Sequence, residues 1–150
     1  MKFERILFPT DFSHHAGHAQ EYAVALAREF KAELLVIHVV QLYSYVVDFG
    51  MENARQYEAI SGTLQKLLDE LLEKLAAEPF AVSGRLVQGD PTVETVRTAQ
   101  EEACDLIVMG THGRGALEHV LLGSVAERVV RKATCPVLTV RLPGHPPQTS

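Results

Sequence analysis

The most constraining feature of this sequence is an alternation between short apolar runs and segments with helical periodicity. Apolar runs at residues 6–8, 34–40, 81–88, 105–109 and 137–140 predict five strands. Between them, apolar residues recur at steps of three and four, which is typical of helices packed on one face. Strands that are apolar on both faces and alternate with helices predict an α/β fold: a doubly wound parallel sheet with helices on both faces.

The pattern contains no interior linker and no internal repeat. We therefore expect one domain over residues 1–142, followed by a flexible tail over residues 143–150. Residues 41–62 show no clear period and are interpreted as a long irregular excursion, with a short helix near residues 52–60. The leucines between Leu64 and Leu75 form a helical stripe that is too short for a coiled coil, so we interpret them as core.

Charge and composition exclude some classes of partner. The chain has 14 Lys and Arg against 19 Asp and Glu, a net charge of −5 over 150 residues. Such an acidic chain is a poor generic binder of nucleic acid or anionic membrane, because Lys and Arg supply the attraction for both. The two cysteines, Cys104 and Cys135, are interpreted as structural, and a cytoplasmic location is the simplest expectation.

A glycine-rich segment carries the strongest sign of chemistry. Gly110, Gly113 and Gly115 follow a predicted strand, and Gly123-Ser124 opens a predicted helix. Glycines let successive backbone amides converge on an anion, and a helix start adds unpaired amides and partial positive charge. The spacing is neither that of a dinucleotide fingerprint nor that of a P-loop with its lysine. The residues alone therefore leave a structural turn and an anion site equally open.

Several segments resemble the universal stress protein family. The spacing Gly110-x2-Gly113-x9-Gly123-Ser124 is similar to the nucleotide-binding signature of its ATP-binding members. Residues 6–13, 35–39, 105–113 and 135–140 resemble other segments of the family, and the likeness runs from about residue 3 to residue 141. The resemblance implies a five-stranded Rossmann-like sheet in the order 3-2-1-4-5, with a nucleotide over the carboxyl edge of strands 1 and 4.

The resemblance also implies which residues contact ATP, ADP or AMP, with Mg²⁺ accompanying the phosphates. The implied contacts are Pro9, Thr10 and Asp11 at the ribose or adenine end, the backbone of Val39 at the adenine, Met109, Gly110, His112 and Gly113 along the ribose and phosphate approach, and Gly123, Ser124 and Val125 at the phosphates. For Arg114, contact with a terminal phosphate and exposure to solvent stay equally open.

Some of these side chains have a second, structural interpretation. Asp11 has the residue type and place of a cap for the first helix, and His112 has a separate interpretation as an ordinary loop histidine. His38 lies inside an apolar strand and is interpreted as a core histidine bonded to backbone. The histidines at 14, 15 and 18 have helical spacing, but no second ligand cluster joins them, so we interpret them as a solvated helix start.

The sequence predicts binding more clearly than catalysis. The glycine loop supplies a nucleotide site, but no catalytic lysine and no acidic pair with an obvious role accompany it. Together with the family resemblance, this implies an ATP-binding protein with a regulatory, stress-response role. The alternatives are a slow ATPase or other adenine-nucleotide enzyme on a related α/β fold, and an interaction module with an empty pocket. The edge strand Val137–Val140, together with the family resemblance, predicts a homodimer.

Overall fold

The protein folds around one parallel sheet. A computed structural model describes residues 1–41, 54–113 and 121–144. In chain order the elements are β1 (Arg5–Pro9), α1 (His14–Phe30), β2 (Glu33–Val40), α2 (Ala54–Leu75), β3 (Val82–Gln88), α3 (Pro91–Glu101), β4 (Leu106–Gly110), α4 (Ser124–Lys132) and β5 (Val137–Val140). The sheet order is β3-β2-β1-β4-β5, and every pairing in it is parallel. The predicted fold class and the strand order implied by the resemblance are confirmed.

The core forms two layers, one on each face of the sheet. Ile6 and Phe8 of β1 pack with the alanines of α1 and with Leu68 of α2. Leu7 points to the other face and packs with residues of α3 and α4, among them Ala99 and Val129. This division follows from the two-residue period of a strand, which sends neighbouring side chains to opposite faces. Helices therefore cover both faces, as the doubly apolar strands predict.

The first and third helices begin at side chains that cap their free amides. The Ser13 hydroxyl accepts a hydrogen bond from the amide of Ala16 at 3.2 Å, so Ser13 is the N-cap of α1. Asp90 caps α3 in the same way, and Pro91 occupies the first helical turn. Such caps satisfy amides that have no partner within the helix. Within the described ranges, no helix combines the length and apolar character needed to cross a membrane.

The helix predicted near residues 52–60 is present from Ala54, but the predicted break between it and the leucine-striped helix is wrong. Residues from Ala54 onward belong to the long helix α2, which continues through Gly62 to Leu75. A side chain at Gly62 would meet no atom within 4 Å, so this glycine is tolerated on an open helix surface. Tyr57 and Ile60 extend the leucine stripe at helical steps and are the signal that could have revealed the longer helix. Residues 42–53 lie outside the described part of the chain.

Candidate functional site

The candidate site lies at the carboxyl edge of the sheet, beside the adjacent strands β1 and β4. The chain leaves β1 for α1 on one face and leaves β4 for α4 on the other. The strand order therefore reverses between β1 and β4, and such a reversal opens a crevice where α/β proteins bind ligands. The segments that follow β1 and β4 both contain residues singled out from the sequence.

The segment after β1 is a tight turn held by side-chain oxygens. The Thr10 hydroxyl accepts from the Phe12 amide, and Asp11 Oδ1 accepts from the Ser13 amide, each at 3.0 Å. Phe12 has a φ of 62°, a left-handed conformation that residues with side chains seldom adopt. The cap of α1 is Ser13 rather than Asp11, and Asp11 supports the turn before it. Pro9 ends β1 opposite Ile37.

Gly113 lies directly against the Asp11 carboxylate. A Cβ atom built at Gly113 would be 2.7 Å from Asp11 Oδ2, closer than any ordinary contact between a carbon and an oxygen. The turn after β1 and the segment after β4 therefore touch at these two residues. A side chain at position 113 would displace the carboxylate or the backbone. The close contact therefore explains why a glycine fits at this position.

The start of α4 adds backbone donors to the same edge. Gly123 is the N-cap of α4, and its amide donates to the Thr111 carbonyl at 2.7 Å. This bond places the start of α4 next to the end of β4. Ser124 and Val125 form the first turn of α4, where amides lack partners within the helix and the helix dipole favours an anion.

Two predicted contacts, Val39 and Met109, lie one position before the ends of their strands. Val39 is 9% exposed and pairs with Val87, and Met109 is 6% exposed and pairs with Thr139. Both side chains pack in the core layer beneath α3 and α4. Their side chains are therefore largely structural, and their backbones run to the edge where the site lies.

A contact between two histidines was missed at the sequence level. The rings of His15 and His112 lie 5.3 Å apart between centroids, tilted by 49°. The close approach of α1 to the end of β4 makes this contact, since a Cβ built at Gly110 would be 2.9 Å from the His15 carbonyl oxygen. The interpretation of a solvated helix start holds for exposed His14 and is wrong for His15 and His18, which are half-buried. No local pattern signals a contact that depends on helix-to-strand packing.

His112 also bonds within its own segment, and His18 bonds within α1. His112 Nδ1 is 2.9 Å from the Thr111 hydroxyl, and His18 Nδ1 is 3.3 Å from a carboxylate oxygen of Glu21. Among residues 1–41, 54–113 and 121–144, no three His, Cys, Asp or Glu side chains converge to hold a metal ion. Arg114 and Gly115 lie outside the described residues.

His38 makes the backbone bond that its place in an apolar strand predicts. Its Nδ1 lies 2.7 Å from the carbonyl oxygen of Thr10, and the residue is 9% exposed. The interpretation as a core histidine bonded to backbone is confirmed. The partner belongs to the turn after β1, so this bond ties β2 to the candidate site.

Comparisons with known proteins agree with this architecture. The sequence profile of the universal stress protein family matches residues 2–141. Universal stress protein MJ0531 of Methanocaldococcus jannaschii is 40% identical over 145 residues, which cover 94% of this chain and 84% of the relative. The chain therefore belongs to the universal stress protein family.

Solved structures show the same likeness. That of protein MJ0577 from the same organism has a TM-score of 0.86 and 30% identity, covering 96% of this chain and 99% of its own. A crystal structure of a universal stress protein in complex with cAMP has a TM-score of 0.66 and 25% identity, covering 94% of this chain and 98% of its own.

Proposed function

We propose that this chain is an adenine-nucleotide-binding universal stress protein in which ATP binding serves a regulatory role in the stress response. One observation carries the proposal: the Asp11 carboxylate, Gly113 and the first turn of α4 occur together at the carboxyl edge of the sheet. This combination offers a carboxylate for hydroxyl or amino groups and backbone amides for phosphates. The family neighbour solved with cAMP supports an adenine nucleotide as the ligand class.

In the proposed complex the nucleotide lies along the crevice between the β1 and β4 segments. Pro9, Thr10, Asp11 and Val39 line the nucleoside end. Met109, Gly110, His112 and Gly113 line the approach to the phosphates, and Gly123, Ser124 and Val125 receive the phosphates at the start of α4. This arrangement needs no lysine, because helix amides and the helix dipole attract the anion.

The overall acidity of the chain is compatible with this ligand. Residues 110–135 carry four basic side chains against two acidic ones, a local excess of two positive charges in a chain of net charge −5. The negative charge lies elsewhere, and it discourages large polyanions more than a small one that is enclosed by backbone donors.

The residues of the site do not by themselves form a magnesium site. Mg²⁺ usually binds through one or two carboxylates together with substrate phosphates. Asp11 is the carboxylate that borders the described part of the site, and its Oδ1 already accepts from the Ser13 amide. An accompanying Mg²⁺ ion would reach the protein on the nucleotide, held mainly by phosphate oxygens.

We also infer a homodimer in which β5 of one copy pairs antiparallel with β5 of another. β5 is an edge strand, hydrogen-bonded within the sheet to β4, and Val137, Leu138 and Thr139 are half-buried. An edge of this kind presents backbone donors and acceptors to a partner strand. Two cysteines that are both free support a cytoplasmic location, where thiols stay reduced.

Calorimetric titration tests the nucleotide site. Wild-type protein should bind ATP in the presence of Mg²⁺, and Gly113→Val should weaken binding by at least roughly tenfold. This is the order expected for loss of a hydrogen bond to a charged group. Gly62→Val is the matched control, because a side chain at Gly62 meets no atom within 4 Å on the surface of α2. Parallel titrations with ADP, AMP and cAMP identify the preferred nucleotide.

Two calorimetric results would refute the proposed nucleotide site. No heat with the wild type, or equal affinity in wild type and Gly113→Val, would remove the proposal. Mass spectrometry of denatured purified protein provides an independent check, because a co-purified adenine nucleotide appears there without a choice of ligand beforehand.

A further inference from the structure

His38 is a polar side chain that the proposed nucleotide contacts do not use. It is the one polar residue among residues 34–40, and its Nδ1 lies 2.7 Å from the Thr10 carbonyl oxygen. A carbonyl oxygen can only accept a hydrogen bond, so Nδ1 must carry the proton. The bond therefore fixes the tautomer and orientation of the imidazole, which is 9% exposed.

The same ring also contacts the residue on the other side of Asp11. The Phe12 ring lies 4.9 Å from the His38 ring between centroids, tilted by 38°. Phe12 has a φ of 62°, which is unfavourable for a residue with a side chain and needs support from its surroundings. His38 thus holds the turn at two points, at the Thr10 carbonyl before Asp11 and at the Phe12 ring after it.

Asp11 is the residue whose placement this arrangement controls. Its Oδ1 accepts from the Ser13 amide at 3.0 Å, and its Oδ2 lies 2.7 Å from the Cβ position of Gly113. A change in the path of the chain at Thr10 or Phe12 would move the carboxylate away from Gly113. We propose that His38 is a positioning residue, which holds the turn after β1 so that the Asp11 carboxylate faces the nucleoside end of the ligand. This inference rests on the proposed function.

Two substitutions separate positioning from packing. His38→Asn places an amide nitrogen near the position of Nδ1 and can keep the bond to Thr10, whereas His38→Leu fills similar space without a donor. We expect His38→Leu to weaken ATP binding by roughly five- to tenfold, the order associated with one lost hydrogen bond, and His38→Asn to stay within about twofold of wild type. Affinity for inorganic tripolyphosphate should be the same in all three proteins, because the start of α4 is untouched.

Val36→Ala is the control for loss of core packing. Val36 lies in the same strand and is fully buried, but it pairs with Phe8 rather than with the turn. It should lower stability and leave ATP affinity unchanged. If Val36→Ala weakens ATP binding as much as His38→Leu, or if His38→Leu weakens tripolyphosphate binding equally, the positioning role is wrong.

A double-mutant cycle tests whether His38 acts through Asp11. In an Asp11→Ala background, His38→Leu should cause no further loss of ATP affinity, because the carboxylate that it orients is gone. Fully additive losses would overturn the inference.

A readout without nucleotide distinguishes this inference from the proposed function. His38→Leu should speed hydrogen exchange at the Ser13 amide, which Asp11 Oδ1 accepts from, and His38→Asn should not. If the wild type fails to bind ATP, the proposed function falls while this exchange result still decides the positioning role. Unchanged exchange at Ser13 in both variants would contradict it.

Discussion

At the scale of single residues, Asp11 shows that one side chain can support a turn and border a crevice at the same time. Its type and place predict either a helix cap or a ligand contact. In the fold, Oδ1 accepts from the Ser13 amide in the turn that leads to the cap, while Oδ2 faces Gly113. A carboxylate has two oxygens with separate geometry, so local support of the turn does not prevent a role at the crevice.

The thiol of Cys104 leads to a prediction, at the scale of a single residue, of how the stability of the protein depends on pH. Burial raises the pKa of the Cys104 thiol from 9.0 to about 11. As the pH rises, the thiol therefore loses its proton in the unfolded state before it does so in the folded state. The stabilisation from this difference is fully present below pH 9.0 and is lost as the pH rises through about 11. Over this range the free energy of unfolding should fall more steeply in wild type than in Cys104→Ala, by on the order of 1 kcal/mol.

Urea denaturation of both proteins at the two ends of this pH range measures the difference. The quantity to compare is the change in the free energy of unfolding with pH. This comparison removes the constant destabilisation from the cavity that Cys104→Ala leaves. It also removes the titration of lysines and tyrosines, which both proteins share. An equal change with pH in both proteins would mean that ionisation of the Cys104 thiol does not contribute to the pH dependence of stability.

At the scale of secondary-structure elements, the sequence predicts where helices begin better than it predicts how long they are. Ser13 and Asp90 cap α1 and α3, and both are residue types that favour N-cap positions, because capping depends on residues within one turn. The length of α2 is less well encoded. Its first turns are mostly exposed, so their apolar pattern is sparse and Gly62 resembles a boundary. Continuation of an existing helix costs little, and one exposed glycine does not end it.

The cap of α3 can be tested by itself. Asp90 Oδ1 accepts from the Val93 amide at 3.0 Å. Asp90→Ala should lower the free energy of unfolding by about 1 kcal/mol, because an amide of the first turn loses its partner. Asp90→Asn keeps a side-chain oxygen at the same place and should remain within a few tenths of a kcal/mol, at roughly wild-type stability. Chemical denaturation measures both, and equal midpoints for Asp90→Ala and wild type would contradict the assignment.

At the scale of the whole molecule, sheet order decides which surfaces remain for other molecules. β1 lies at the centre, so its carboxyl end is flanked by β2 and β4 and meets segments from both. β5 lies at an edge, and the carbonyls of Pro136 and Val140 accept from Ile107 and Thr111 of the β4 side. Because backbone groups alternate along a strand, the amide of Thr139 points away from β4.

This direction allows a sharp test of the homodimer. Thr139→Pro removes the outward amide that an antiparallel β5 partner would need, while the bonds to β4 use other residues. Thr139→Val keeps the amide and is the matched control. Light scattering at micromolar concentration should give twice the chain mass for wild type and Thr139→Val, and the chain mass for Thr139→Pro. A monomeric wild type would refute the dimer, provided that circular dichroism shows each variant folded.

The sequence by itself determined the α/β alternation and placed residue types that favour capping at the starts of the first and third helices. Each of these depends on neighbours within a few residues, through periodicity or local hydrogen bonding. Only the tertiary structure decided that Asp11 meets Gly113, that His15 meets His112 and that His38 bonds to Thr10. The physical reason is that each pair lies far apart along the chain and meets only through strand pairing and the packing of α1 on β4, which local patterns do not encode.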